Sequence, residues 1–462
     1  MRSPFPRNLS KLCVLVIPFL ASCAVGPDYV APQAELESAF KNTGFSQAPP
    51  EGSWWSLFND PELSRLIKMA DTQGQGVRSE LARYDQARAT LGLARADIYP
   101  SVTADAYARR QKDSSNSNFS FGVYNEYRAA LNLSWEIDLW GRVRRSIGAA
   151  EASLLAAEYD YQGLILSLRG EITRAYVSLR FADAEIALLE KTSKLRGEAR
   201  RLMKARFDGG ASSKIDYQRS ITEDESVKAE LAQLRARRER YENALAVLTG
   251  QSAAGYHLAA NGRTPTIPVP PSAVPSDLLR RRPDLAANER RLAYASETIG
   301  VAIATYLPRI SITGEGGFRS LSSTDLFDPQ SKLWGIAPEL VAPIFQGGRG
   351  FSDKARAEAA YREALGIYRG SLLSAIQETE DALGDVRHLA VASASRKKGS
   401  TSAAEAATLT RKRYNAGVTD YFEVVESERT ALNEEQAALS IELARALAAT
   451  HLIQSLGGGW QR

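Results

Sequence analysis

The sequence predicts an α+β protein in which two β-strands and a long helical hairpin occur twice. Three observations lead to this prediction. Apolar residues recur with heptad spacing in a segment without proline, four segments alternate apolar and polar residues, and the chain matches itself at an offset of 207 positions. A repeat in the sequence means that one structural unit occurs more than once, so it indicates the architecture more directly than any single helix or strand.

The heptad spacing lies between Gly141 and Gly250, where the chain has no proline. Its apolar positions step by four and three residues: Tyr161, Ile165, Leu168, Ile172, Ala175, Leu179, Ala182, Ile186 and Leu189. This spacing keeps one apolar seam on a helix, as in a coiled coil. A helix over about 142–205 would be roughly 95 Å long at about 1.5 Å per residue. The break at 206–210 then predicts a turn and a returning helix.

The same pattern recurs in the second half of the chain. An offset of 207 positions pairs residues from the start of the hairpin, its turn and its end: Gly141 with Gly348, Tyr161 with Tyr368, Arg206 with Arg413, Gly210 with Gly417, Asp216 with Glu423, and Gly250 with Gly457. Because the same offset holds at the start of the hairpin, at its turn and at its end, it indicates two internal structural repeats.

Four strand candidates precede the hairpins in pairs, at 102–108, 129–139, 309–319 and 334–344. In the second candidate the odd positions are apolar and the even positions include Arg128, Asn132, Glu136 and Asp138. Alternation over about ten residues is typical of a strand with one apolar and one polar face, as in a membrane barrel or a soluble sandwich. Four strands cannot close a barrel, and open edges are not tolerated in lipid, so a membrane sheet of this kind requires several copies of the chain.

Residues 1–22 resemble a secretory signal peptide, with a charged start and an apolar run that is too short to span a bilayer. The run ends Leu20-Ala21-Ser22-Cys23, which resembles a bacterial lipobox with acylation at Cys23. An ordinary signal with an incidental cysteine is the alternative.

We divide the rest into a lipidated linker and first helix (23–76), a first repeat (77–250), a proline-rich connector (251–277) and a second repeat (278–462). Asp60 is the expected N-cap of the first helix, with Pro61 at its first position.

Composition argues against several function classes. The net charge of +4 includes Arg2, Arg7 and Lys11 of the signal, so the basic balance does not indicate nucleic-acid binding. No apolar run reaches the roughly 18 residues that a membrane-spanning helix needs. The three histidines are scattered and no metal-spaced cluster or phosphate-binding loop is present, so we expect neither an enzyme nor a cofactor or metal. We expect Trp54 and Trp55 to act as a packing clamp rather than to bind a ligand. We expect Arg280, Arg281 and Arg282 to be solvated or paired with carboxylates rather than to form a phosphate site.

Several motifs occur in order along the chain: the lipobox followed by Val25-Gly26-Pro27-Asp28-Tyr29, the Trp54-Trp55 run, the segment from Trp135 to Arg142, and Arg281-Arg282-Pro283-Asp284-Leu285. Together with the two-fold repeat, they resemble the outer membrane factor family, specifically TolC-like efflux lipoproteins of the NodT and OprM kind. The resemblance implies a homotrimer with a shared twelve-stranded outer-membrane barrel, continued by a long α-helical tunnel through the periplasm.

The resemblance also implies a function and partners. Such proteins are passive exit ducts of tripartite pumps, joined to a periplasmic adaptor (membrane fusion) protein and an inner-membrane RND-type transporter, and they conduct drugs or other small molecules. Ala24 after the cysteine implies lipid anchoring in the outer membrane, because Asp at that place retains similar lipoproteins in the inner membrane. A duct for type I protein secretion is the alternative pore. A structural envelope protein is a further alternative, which the alternating strands disfavour.

The resemblance places a narrow, acid-lined closure at the second hairpin turn, at the positions of Glu423 and Glu426; Asp216 matches Glu423 in the first repeat. Phe422, Glu426 and Arg429 share a helix face by their spacing. We predict that Phe422 plugs the channel and that Glu426 and Arg429 pair between neighbouring chains. We expect the adaptor at the two turns, through Gly210, Ser212, Tyr414, Gly417 and Thr419. Gly210 and Gly417 should adopt positive φ, and Asp420 should cap the returning helix.

Overall fold

The computed structural model describes residues 24–33, 39–42, 53–114, 116, 122–269 and 281–458. The predicted signal peptide, the acylation site Cys23 and the connector residues 270–277 lie outside the described residues. Within the described part, no helix is both long and apolar enough to cross a lipid bilayer.

Helices and strands follow the predicted order. The first half contains α1 (Pro61–Gln73), α2 (Gln75–Ala96), β1 (Ser101–Lys112), β2 (Val123–Ile137), α3 (Arg142–Asp208) and α4 (Lys214–Leu248). The second half contains α5 (Pro283–Thr305), β3 (Arg309–Ser320), β4 (Lys332–Val341), α6 (Arg349–Asn415) and α7 (Tyr421–Ser455). Helices α6 and α7 begin and end 207 positions after α3 and α4, so the offset seen in the sequence also fits the element boundaries.

Local capping explains where the helices start. Asp60 accepts hydrogen bonds from the backbone N–H groups of Glu62 and Leu63, and Pro61 follows at the first helical position. Both residues therefore act as predicted, because a carboxylate satisfies N–H groups that have no partner within the helix. Along α3, the nine predicted seam positions are buried or half-buried, as are most of the residues between them.

The four strands form one antiparallel sheet in the order β1-β2-β3-β4. In its register, Ala106 pairs with Ala129 and Ala129 with Phe318, so apolar positions of neighbouring strands share a face. That face is open to the surroundings in the single chain: Trp334 is 83% exposed and Ile336 is 69% exposed. The predicted alternation is therefore confirmed, and it produces a sheet whose apolar side lacks a covering layer among the described residues.

Charged residues of the opposite face pair across the strands. Arg128 of β2 lies 2.8 Å from Glu315 of β3 and 3.7 Å from Asp105 of β1. Glu126 accepts hydrogen bonds from Tyr107 at 2.9 Å and from Arg109, whose Nε lies at 2.9 Å. The polar face is thus lined by charges that compensate one another.

Three strand boundaries differ from the prediction by three residues or more. Strand β2 begins at Val123 and β1 extends to Lys112, so this hairpin is longer than predicted because polar side chains pair across it. Strand β4 ends at Val341, so the predicted end at Ile344 is wrong. Pro343 intervenes there, and proline cannot donate to a strand ladder.

The chain divides into two compact units, and each is described by itself. The first comprises 1–33, 83–158 and 287–369, and the second comprises 34–82, 159–286 and 370–462. The second unit contains the large apolar core, in which Trp54 and Trp55 meet edge to face at 6.0 Å and pack with Phe58 and Tyr176. The packing role predicted for the two tryptophans is confirmed. Arg282 pairs with Asp284 and Glu378, each at 2.7 Å, as predicted.

In the first unit, the N-terminal segment 24–29 is fixed against the start of α3. The backbone N–H of Val25 donates to the Trp140 carbonyl at 3.0 Å. Arg145, almost fully buried, donates to the carbonyls of Val25 and Gly26 and pairs with Asp28 at 3.0 Å. Gly26 lies so close to Gly300 that an added Cβ would stand 2.6 Å from its Cα, so no other residue fits there without a shift.

Candidate functional site

The two hairpin turns have the same backbone geometry. The N–H of Gly210 donates to Phe207 and that of Ala211 to Arg206; in the second turn Gly417 donates to Tyr414 and Val418 to Arg413. This pattern is the Schellman motif, which needs a left-handed residue after the helix. Gly210 and Gly417 supply it with φ of 71° and 73°, as predicted. We call these turns (209–213 and 416–420) and the helix ends beside them the tip.

Both returning helices start with a side-chain cap. The Ser213 hydroxyl accepts from the Asp216 N–H at 3.1 Å and donates to the Asp216 carboxylate at 2.7 Å. Asp420 accepts from the Glu423 N–H at 3.0 Å, which confirms the predicted cap. The Thr419 hydroxyl donates to the Glu423 carboxylate. Asp216 and Glu423 thus contribute to the two caps, a role that the gate prediction did not include.

A small apolar core holds the four helix ends together. Met203, Tyr421, Val424 and Val425 are buried, and Tyr414 packs beside them with its ring 5.9 Å from that of Tyr421. Burial raises the pKa of Tyr421, since a phenolate would lose its hydration there. The adaptor-contact candidate Tyr414 is therefore half-buried and also lies under the Arg206 guanidinium, 5.2 Å from the ring centre.

Beside this core, α4 and α7 enclose a cleft of about 520 Å³. Phe422, Glu426 and Arg429 all line it, as their spacing predicted. The Arg219 guanidinium from α4 lies 4.6 Å from the centre of the Phe422 ring, a cation–π geometry. Phe422 remains 44% exposed, so its ring covers the cleft only in part.

Glu426 and Arg429 pair within the single chain. Arg429 donates to Glu426 of the same helix at 2.9 Å, because residues three apart lie about one helical turn from each other. The predicted pairing of these residues between neighbouring chains stays a prediction. Both side chains are partly exposed, so this pair adds only about 0–1 kcal/mol to stability.

A buried arginine joins the two hairpins further along the helices. Arg196 of α3 has a side chain only 5% exposed and lies 3.1 Å from Glu428 of α7 and 3.6 Å from Glu223 of α4. Glu428 also accepts from the Nε of Arg411 on α6 at 2.8 Å. One charge cluster therefore connects all four helices next to the cleft.

The structure places the remaining predicted residues on the outside of the tip. Gly210 and Gly417 are exposed, and Ser212 and Thr419 are half-buried beside them. Phe422, Glu426 and Arg429 line one cleft, whereas Glu423 and Asp216 form part of the helix caps. The structure describes Ala24 but not the acylation candidate Cys23.

Three residues of the candidate site were not predicted from the sequence: Arg196, Arg219 and Glu428. A signal for Arg196 was present, because the seam of α3 continues from Leu189 in steps of four, three, four and three to Ser193, Arg196, Arg200 and Met203. A charge at a seam position predicts a buried partner on another helix. Arg219 and Glu428 gave no such signal, because their positions on exposed helix turns are ordinary for charged residues.

Among the described residues, no group of three or more His, Cys, Asp or Glu side chains could hold a metal ion. The candidate site consists of charged side chains and one aromatic ring at the tip.

Comparisons with known proteins agree along nearly the whole chain. The family model described as outer membrane efflux protein matches residues 66–251 and 274–458. The chain is 32% identical over 457 residues to outer membrane protein OprJ of Pseudomonas aeruginosa, covering 97% of this chain and 95% of the relative. It is 30% identical to the pyoverdine export outer membrane protein OpmQ of Pseudomonas putida, covering 99% and 98%. The solved structure of the outer-membrane channel OprN superimposes with a TM-score of 0.88 at 30% identity, covering 95% of this chain and all of that one.

Proposed function

The chain belongs to the outer membrane efflux protein family, and from this we propose how its sheet, helices and tip form a gated exit duct. Members of this family are channel proteins. The protein is an outer-membrane channel that serves as the exit duct of an efflux pump, with a part that extends into the periplasm. The match of the family model to both halves carries this conclusion.

The sheet supports a shared barrel. Its two outer strands, β1 and β4, have no further strand beside them among the described residues. An unpaired edge in lipid leaves N–H and C=O groups without partners, and a barrel of four strands cannot close. We propose that three copies join edge to edge in a barrel of twelve strands. The exposed apolar face, with Trp334 and Ile336, would then meet lipid, and the paired charges would face the lumen.

The two helical hairpins support a tunnel with internal symmetry. Helices α3 and α6 have 67 residues each and α4 and α7 have 35 each, so the two hairpins match in length. We propose that they are structural repeats, and that three chains place six hairpins around one tunnel. In our proposal, an acyl chain on Cys23 fixes the chain to the membrane.

We propose that the tip closes the resting tunnel. Phe422 narrows the opening while Arg219 of the same chain holds its ring, and the Arg196 cluster keeps the two hairpins together. Each exposed contact contributes little, about 0–1 kcal/mol. Binding of an adaptor to the turns around Gly210, Ser212, Gly417 and Thr419 can therefore shift the equilibrium towards an open state.

Three measurements test the proposal. The purified protein in a planar bilayer should conduct ions with small steps, and a strain without its own efflux channel should regain dye export when this chain is added with its adaptor and RND-type transporter. Crosslinking from Ser212 or Thr419 should capture the adaptor. Capture from the β1–β2 loop but from neither turn would refute the tip contact, and a strain that keeps accumulating dye would refute the efflux function.

A further inference from the structure

The apolar face of the sheet carries three charged side chains, and all three are cations. The register places on this face the even positions of 102–112, 310–320 and 332–340 and the odd positions of 123–137. Among these positions, only Arg110 and Lys112 of β1 and Lys332 of β4 are charged. The opposite face differs, because arginines and carboxylates pair there across the strands.

The three cations lie at the end of the sheet that is remote from the long helices. Arg110 and Lys112 precede the β1–β2 loop (113–122), and Lys332 follows the β3–β4 loop (321–331). At their other ends, β2 leads into α3 and β4 leads into α6. In the proposed duct the long helices lie in the periplasm, so these cations lie on the external side. We call Arg110, Lys112 and Lys332 the rim cations.

Arg110 and Lys112 begin where the apolar band of the sheet ends. On β2, the side chains of this face from Tyr127 to Ile137 are tyrosine, alanine, leucine, leucine, tryptophan and isoleucine. About ten steps of roughly 3.4 Å, on a strand tilted by about 40°, give a band roughly 25 Å tall, which is the height of the lipid-facing band of an outer-membrane barrel. The next position on this face is Asn125, which pairs with Arg110. Arg110 and Lys112 therefore lie at the level of the lipid head groups.

The charges of the rim cations are not compensated within the part of the chain that the structure describes. All three side chains are exposed, and none forms an ion pair with another described residue. Arg110 and Lys112 stand two positions apart on one face, roughly 7 Å along the strand, so a single phosphate group fits between their side chains. The exposed amide of Asn125 beside Arg110 adds a further donor.

A neighbouring chain completes this group of cations in the proposed barrel. Strands β1 and β4 are the outer strands of the sheet, so closure of three sheets places β4 of one chain beside β1 of the next. The external end of β4, with Lys332, then lies beside the external end of β1, with Arg110 and Lys112. The next residue of β4 on this face is Trp334, which is 83% exposed. Tryptophan is typical of the border between head groups and hydrocarbon in such barrels.

We propose that the rim cations bind the phosphate groups of a phosphorylated glycolipid in the outer leaflet of the outer membrane. Its acyl chains would lie against Trp334 and Ile336. The inference rests on the proposed function for the barrel and for its orientation. A phosphate on Arg110 and Lys112 forms charge-assisted hydrogen bonds, and the planar guanidinium can bind two phosphate oxygens at once. The absence of carboxylates from this face of the strands favours an anionic head group over a zwitterionic one.

Binding of purified lipid A, a phosphorylated glycolipid, to the full-length protein in detergent tests this proposal. Native mass spectrometry counts the lipid molecules on each protein complex after chelation of divalent cations, which would otherwise bridge phosphates to carboxylates. Arg110→Gln with Lys112→Gln and Lys332→Gln should weaken binding about tenfold or more, because three attractive charges are lost.

The matched control is Arg387→Gln with Lys397→Gln and Lys398→Gln. It removes one arginine and two lysines from exposed positions of α6 and should leave affinity within about twofold. Arg110→Lys with Lys112→Arg keeps both charges on the strand and should retain binding within about threefold, which separates loss of charge from altered folding of the hairpin.

Three results would overturn the proposal. They are equal binding by the variant without rim cations and the wild type, equal binding of lipid A from which the phosphates have been removed, and displacement of lipid A by phosphatidylglycerol at equal concentration. The last result would show a general affinity for anionic lipid. Conductance should stay at the wild-type value in all these variants, because the rim cations face away from the lumen. A protein that conducts but binds no lipid A would therefore contradict this inference alone, whereas a protein that forms no channel would contradict the duct.

Discussion

The guanidinium of Arg196 lies 3.1 Å from the carboxylate of Glu428 and is almost fully buried between the two hairpins. The two residues belong to α3 and α7, so this contact connects the first hairpin with the second. A buried charge is costly when it loses a partner, because water does not replace the lost contact. In the proposed closure of the tunnel, this contact makes the tip sensitive to a single substitution.

Arg196→Ala should lower the stability of the tip and raise resting conductance. Loss of one partner from a buried pair costs about 3–5 kcal/mol, and both Glu223 and Glu428 lose their contact with Arg196. Single-channel recording should show a larger or more frequent open state, and thermal unfolding should shift to lower temperature.

Arg411→Ala is the matched control, because Arg411 pairs with the same Glu428 but is much more exposed. An exposed pair is worth about 0–1 kcal/mol, so this variant should resemble the wild type. If the two variants behave alike, the buried position of Arg196 has no special role in closure.

Phe422→Ala combined with Glu426→Ala should increase conductance of the resting channel. The change removes the ring that narrows the cleft, its contact with Arg219 and the partner of Arg429. Because Phe422 is nearly half exposed, we expect stability to change by only about 1 kcal/mol, so the effect on conductance should exceed the effect on folding.

Leu409→Ala serves as the control for this variant, since Leu409 is an exposed apolar residue of α6 that does not line the cleft. Its conductance should remain unchanged. Should the double variant conduct no better than the wild type, Phe422 and Glu426 do not form the gate.

The features of the fold that could be predicted from the sequence are those in which a pattern has a local physical cause. Heptad spacing located the seam of α3, alternation gave the two faces of the sheet, and Gly417 and Asp420 were identified because a helix reversal requires a left-handed residue and a cap. The start of β2 at Val123 was missed because both parities of 123–128 carry polar residues, which are stabilised by pairing across strands. Arg219 was missed because its contact with Phe422 joins positions more than 200 residues apart.

Arg145→Ala should release the N-terminal segment 24–29 from the start of α3. The guanidinium is almost fully buried, donates to two backbone carbonyls and contacts Asp28 and Glu297, so the substitution removes four contacts together. We expect a loss of about 3 kcal/mol in the first unit and faster proteolytic removal of the segment. Asp28→Ala should have a small effect, about 0–1 kcal/mol, because the Asp28 side chain is 94% exposed. Equal proteolysis rates for the two variants would contradict a clamping role for Arg145.

Tyr176 should make the stability of the second unit depend on alkaline pH. The ring is fully buried, and its hydroxyl donates to Asp60 at 2.7 Å. Burial, and then the hydrogen bond to Asp60, raise the pKa of Tyr176 well above its ordinary value, although Arg180 acts in the opposite direction. The folded state therefore retains a proton that the unfolded chain loses near a pH of about 10. This contribution is complete below that pH and declines at higher pH, by up to about 1.4 kcal/mol per pH unit.

Tyr176→Phe isolates this contribution, because it removes the titrating hydroxyl and keeps the ring. At neutral pH the variant should be less stable by about 1.5–3 kcal/mol, the value of a hydrogen bond to a charged acceptor. The difference from the wild type should shrink as pH rises above about 10, since only the wild type then has a buried phenol to deprotonate. Denaturant unfolding at several pH values measures this difference, with Tyr99→Phe as the exposed control. A difference that stays constant up to high pH would mean that the Tyr176 hydroxyl does not titrate differently in the folded and unfolded chain.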